Sequence, residues 1–365
     1  MGNNADISIS KPRNATADIL KGLLIICVIF GHSLTMVNSL RGVAWSDFPF
    51  NVFITTFEIP FFILISGYFL FFSLRNKDYK YGVVLKKRIS NMIPPLLLWE
   101  AIPFILVSMF SKEKMGIGEW EIGLYDSVFS DKLWFISSYL CCTIVLCLIQ
   151  APVTAIKNRK MAVLTEILLI LGVIILCHLS RLSFGFTTYL VLFAIIGFLI
   201  SKYALLSCSI TKYFIIIFAG IFFILYPFYG AQDSFYLYPQ YILPFDFHKF
   251  FIVLFRFLVS ISACCLIFMM VVLLCRNEKP KVSFDKTIGF LGRRSLELYI
   301  LSMYIQSLMI ILISKIITTN NIYLSDFNVL FIFGPLFFIV LICICLMVDK
   351  LLSYFPKLHL LLLGR

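Results

Sequence analysis

Apolar residues in this chain come in long unbroken runs, neither alternating as on a half-buried strand nor recurring every three to four positions as on a surface helix. Ten runs stand out, covering 18–37, 48–73, 89–110, 133–150, 161–179, 184–201, 209–229, 250–275, 295–314 and 327–348. A bilayer's hydrocarbon core is about 30 Å thick, so about 20 helical residues cross it. Each run therefore predicts a transmembrane helix, although Pro94 and Pro95 interrupt the third and the sixth is short. The pattern predicts an all-α, polytopic integral membrane protein of about ten transmembrane helices. Its plan is an N-terminal tail over 1–17, a membrane domain over 18–350, and an apolar, basic tail over 351–365 suited to lie along the inner interface.

Charge gives the orientation. With the N-terminus in the cytoplasm, 23 of the 31 Lys and Arg fall on that side and 7 on the other, Arg256 lying inside the eighth run. Cytoplasmic loops carry the excess of basic residues, so both termini are expected inside. Composition agrees: 61% of residues are hydrophobic and 14% charged, and the mean hydropathy is +0.98. A soluble domain carries about 25% charged residues, so this chain cannot cover a water-facing surface. The net charge of +12 sits in short clusters between apolar runs, which argues against a nucleic-acid partner. Most of the 11 Cys lie inside those runs without ligand spacing to the 4 His, so they read as buried thiols and no metal is expected. Residues 1–17 are polar and the first run lacks a small-residue cleavage site, so no cleavable signal peptide is expected.

Ionisable groups at bilayer depth are costly and usually mark a site or a pathway. The first run holds Lys21 and His32. Eleven residues of helix separate them by about 16 Å, so Lys21 reaches the inner surface and His32 does not. An imidazole there suits a proton acceptor, or else a neutral His bonded to another helix. The second run carries Glu58 on a neighbouring helix, roughly 15 Å below the outer surface against about 8–9 Å for His32, placed to orient His32, to sit in a wet cavity or to stay protonated. Lys86-Lys87-Arg88 and Arg293-Arg294 have two readings, as topology determinants or as ligands for a polyanion. Buried His32, Glu58, Glu100 and Arg256 would equally serve a transporter or a flippase for a polar or lipid-linked sugar. No GxSxG, P-loop or HExxH motif occurs.

Five short motifs in order carry a resemblance. Arg13, Asp18, Lys21-Gly22 and Gly31-His32 resemble the opening helix of the membrane-bound acyltransferase-3 family, in which a basic residue precedes a His by eleven positions. Pro60-Phe61-Phe62 with Ser66-Gly67-Tyr68, the basic stretch Lys87-Arg88 before Pro94, Leu133-Trp134-Phe135, and Gly292 to Tyr299 (GRRSLELY) are similar to its later signatures. The resemblance implies an acyl-CoA-dependent O-acetyltransferase that moves an acetyl or other short acyl group from cytoplasmic acyl-CoA to a sugar hydroxyl. The acceptor would be a cell-envelope or exported polysaccharide, at a bacterial cytoplasmic membrane.

By that likeness His32 is the essential histidine, Lys21 the basic residue of the opening helix, and Arg88 and Arg293 bind the phosphates of acetyl-CoA. From their own positions Glu58 is the candidate partner of His32, and Lys86 and Lys87, with Lys21, join the candidate acetyl-CoA site at the inner face. Tyr236, Tyr238 and Trp134 are candidate acceptor contacts, since aromatic faces stack on sugar rings. Many members carry a second His shortly after the last motif's Tyr, whereas this chain has Ser302 there.

Overall fold

The computed structural model describes residues 14–44, 48–110, 116–129, 131–179, 187–234, 247–320 and 325–364. Among them regular structure is helical, with no strand. In chain order the helices are α1 (Ala15–Ser39), α2 (Pro49–Thr55), α3 (Glu58–Arg75), α4 (Tyr81–Leu96), α5 (Ile102–Phe110), α6 (Ile117–Phe129), α7 (Trp134–Ala155), α8 (Arg159–Leu179) and α9 (Thr187–Lys202). They continue with α10 (Ser209–Leu225), α11 (Phe247–Leu274), α12 (Glu278–Phe284), α13 (Phe290–Arg293), α14 (Ser295–Asn320), α15 (Asp326–Asn328), α16 (Gly334–Ser353) and α17 (Pro356–Leu363). Within the described residues each of the ten predicted runs overlaps a helical segment, the fifth being α8. Seven of these are long and apolar enough to cross a membrane, and two shorter apolar helices, Tyr189–Lys202 and Ser295–Ile311, cover the sixth and ninth runs.

Prolines shape two of the predicted spans. The second is a broken helix, with α2 ending at Thr55 and α3 restarting at Glu58. Pro60 lacks an N–H and is best tolerated in a first turn, where it stands three residues into α3. In the third span Pro94 and Pro95 remove two amide donors, and the helix widens into a π turn over Leu97–Ala101 before α5. That span begins at Tyr81 rather than near 89, because a basic turn holding Lys86, Lys87 and Arg88 precedes its apolar part. The expected loop over 111–132 contains α6, whose Glu119, Glu121 and Asp126 hide it from a search for apolar runs.

Helix α1 lies in the middle, against α2, α3, α11, α13, α14 and α16. Close approach there depends on glycine. A Cβ on Gly22 would strike the Ile288 carbonyl, and one on Gly292 the Asp18 carbonyl. Gly67 and Gly197 do the same for the α3–α9 pair, each facing a backbone carbonyl of the other helix. The periphery is apolar and uncovered: Ile210, Tyr213, Phe223 and Ile224 on α10 are each about two-thirds exposed, as a lipid-facing surface should be. The predicted C-terminal tail folds into α17, which packs on α4 and α16. Trp99 Nε1 donates to the Leu362 carbonyl at 2.9 Å, and Asp349 accepts from Arg294 at 2.7 Å and meets His359 at 2.9 Å.

Candidate active site

The break between α2 and α3 turns a row of polar side chains towards α1. Asn51, Thr55 and Glu58 line a cavity of about 200 Å³ together with Gly31, His32 and Thr35 of α1, Trp134 of α7 and Tyr299 of α14. His32 is partly buried and makes no hydrogen bond to any described residue. It shares this cavity with Glu58, which is 6% exposed, without a hydrogen bond between the two. The helix path brings the pair together, and direct orientation of the imidazole by the carboxylate is not what the geometry offers.

A second cavity, of about 180 Å³, lies towards the Lys21 end of α1. Lys21, Ser66, Met92, Phe135, Tyr139 and Ser295 are among its walls. Val28, Ile59 and Tyr299 line both cavities, so the two spaces meet at these three side chains. From Lys21 to Thr35, α1 runs alongside both for about 21 Å. The lower space is lined mainly by apolar groups, whereas the upper one collects hydroxyl, amide, carboxyl and imidazole groups.

Arg88 attaches to the lower cavity through Tyr139. Its Nη1 donates to Tyr139 Oη and to Thr143 Oγ1, the latter at 3.1 Å, and the guanidinium lies 5.0 Å from the centre of the Tyr139 ring. These partners are neutral, and no carboxylate neutralises Arg88 among the described residues. The other basic residues stand differently. Lys21 lines the cavity but is paired with Asp18 at 2.9 Å. Arg293 is held by Asp285 at 2.7 Å, and it lines neither cavity. Lys86 and Lys87 are exposed on α4, away from both cavities. Tyr236 and Tyr238 lie outside the described residues. Arg256 is fully buried under the Tyr189 ring, 4.6 Å from its centre, in a separate cluster with Ser260.

A clamp missed by sequence reasoning holds the wall formed by Trp134 and Tyr299. Glu100, in the π turn, accepts from the Leu133 backbone N–H at 2.9 Å and from Tyr304 Oη at 2.7 Å. Trp99 stacks on Tyr304 with ring centres 4.4 Å apart, and Tyr299 Oη donates to the Lys132 carbonyl at 2.6 Å. The start of α7 is thereby tied to α14 and to the π turn. Its sequence signal was Glu100 itself, an acid inside an apolar run.

The motif residues, scattered along the chain, meet here. Pro60 stands in the first turn after the break, Ser66 and Phe135 line the lower cavity, Trp134 lines the upper one and Tyr299 lines both. A model of the acyltransferase-3 family, described as an acyltransferase domain, matches residues 14–349. No curated protein and no solved structure matches the chain.

Proposed function

Because the chain belongs to the acyltransferase-3 family, we propose that it is a membrane O-acyltransferase using His32 as general base, with acetyl-CoA or another short acyl-CoA as donor and a sugar hydroxyl of an envelope or exported glycan as acceptor. The observation that carries this reading is the pair of abutting cavities along α1, with Arg88 attached to one and His32 in the other. Positive-inside orientation would put the Arg88 end at the cytoplasm, where acyl-CoA is found.

In this account Arg88 binds a CoA phosphate, since a guanidinium matches a phosphate in fixed geometry. Lys21 and Arg293 contribute once their carboxylate partners yield, and Lys86 and Lys87 add only to the field at the surface. The apolar lower cavity takes the pantetheine arm and brings the thioester to the level of His32. The acceptor hydroxyl gives its proton to the imidazole as its oxygen attacks the thioester carbonyl. The C–S bond then breaks, the acyl group stays on the acceptor oxygen, and the thiolate recovers the proton from the imidazolium. General-base help of this kind supplies about 10²–10⁴-fold. Glu58, across the same cavity, stabilises the imidazolium through space.

The test uses purified protein in lipid nanodiscs, labelled acetyl-CoA and crude envelope glycan. Wild-type protein should release CoA and label the glycan. His32→Ala should lower transfer by about 10²–10⁴-fold while eluting as the same monodisperse species. Transfer at the wild-type rate in that variant would end the proposal.

A further inference from the structure

Beyond His32, the upper cavity ends in a wall with a definite hydrogen-bonding sense. Thr35 Oγ1 donates its proton to the Gly31 carbonyl at 2.9 Å, and Thr55 Oγ1 donates to the Val52 carbonyl at 2.8 Å. Both hydroxyls can then only accept. Asn51 Nδ2 donates to Thr35 Oγ1 at 3.1 Å. Asn51 is 4% exposed and its Oδ1 has no hydrogen-bond partner. A buried carbonyl left unmet is costly, and native proteins rarely keep one without a use. Gly31, next to His32, faces this carbonyl: a Cβ there would be in ordinary contact, 3.9 Å from Asn51 Oδ1 and 3.6 Å from Ile54.

The wall therefore offers oxygens and asks for donors. It lies on the far side of His32 from Lys21, with Thr35 about 4.5 Å further along α1, so a thioester arriving through the lower cavity meets His32 first. We propose that Asn51 Oδ1 accepts a hydrogen bond from a second hydroxyl of the acyl acceptor, adjacent to the one that His32 deprotonates. This rests on the acyltransferase reading and adds a specificity residue to it: Asn51 selects a polyol such as the sugar over a mono-alcohol. A site built to pair a hydroxyl rejects the analogue that lacks it, because its own polar group is then left unpaired.

The experiment measures kcat/KM for acetyl transfer to methyl hexopyranosides and to tetrahydropyran-2-methanol, which has a similar ring but a single hydroxyl. Wild-type protein should favour its best polyol at least tenfold. Asn51→Leu should raise the polyol KM at least tenfold and erase the preference, with the acetyl-CoA KM unchanged and a melting temperature no lower than wild type. Gly31→Ala supplies a second variant. Its methyl would make only ordinary contacts, at 3.6 Å from Ile54 and 3.9 Å from Asn51 Oδ1, and should weaken the preference by covering the carbonyl. A wild-type preference that both variants retain would overturn the role of Asn51 alone. Failure of wild-type protein to acetylate any of these alcohols or envelope glycan would overturn the functional reading and this inference together.

Discussion

Arg88 carries a full charge met by two hydroxyls and an aromatic face, Tyr139 and Thr143 supplying all three. A guanidinium left in that state is ready for an anion. A hydrogen bond to a charged group contributes about 1.5–3 kcal/mol, or about 10- to 150-fold in affinity. Arg88→Met should therefore raise the KM for acetyl-CoA by about that factor. It should leave the KM for acetyl-pantetheine, which lacks the nucleotide phosphates, nearly unchanged. Lys86→Gln and Lys87→Gln, at exposed positions, should alter either KM by less than about threefold, since exposed charges contribute little. A steady-state comparison of the two donors in the three variants checks all of this. His32 stood out in the sequence because a lone imidazole at bilayer depth has few reasons to be there. Asn51 did not, because an amide in an apolar run gives no sign of which face it takes or which of its atoms is already bonded.

At the level of elements, two departures from regular helix build the site. The break before Pro60 aims Asn51, Thr55 and Glu58 into the upper cavity, and the π turn after Pro94-Pro95 aims Glu100 at the first residues of α7. Removing the Glu100 carboxylate leaves the Leu133 N–H buried without its partner, at a cost of about 1–3 kcal/mol. Glu100→Ala should thus lower the melting temperature and, by loosening Trp134, reduce kcat more than it raises the acetyl-CoA KM; thermal unfolding and donor kinetics on one preparation decide the point. Close packing sets a harder limit. Gly67→Val would drive a side chain into the Ala194 carbonyl, so the α3–α9 pair should separate and the protein should lose its monodisperse elution profile. The prolines themselves were plain in the sequence. Their outcome depends on which carbonyls neighbouring helices satisfy, and a linear pattern does not carry that information.

For the whole molecule, hydropathy located the helices because a bilayer selects for uninterrupted apolar length, the quantity a sequence displays directly. It overlooked α6 and the basic start of α4, where polar side chains mask helical backbone. The acyltransferase-3 resemblance was legible from short motifs because those residues do the packing and lining: Gly22 and Gly292 at the helix crossing, Trp134 and Tyr299 at the cavities. The charge bias makes a global prediction. Cysteines introduced at Lys80 and Lys286 should react with an impermeant thiol reagent only when the cytoplasmic face is open to it, and one at Arg41 only from the opposite face.

The proposed transfer depends on the lower and upper cavities joining into one path from Arg88 to His32 where Val28, Ile59 and Tyr299 line both. The rate of acetyl transfer by Val28→Phe, relative to wild type, tests this most directly. With a melting temperature close to wild type, the enlarged side chain should close the path and reduce transfer at least a hundredfold, whereas Val28→Ala should keep it. Transfer by a folded Val28→Phe protein at the wild-type rate would contradict the account.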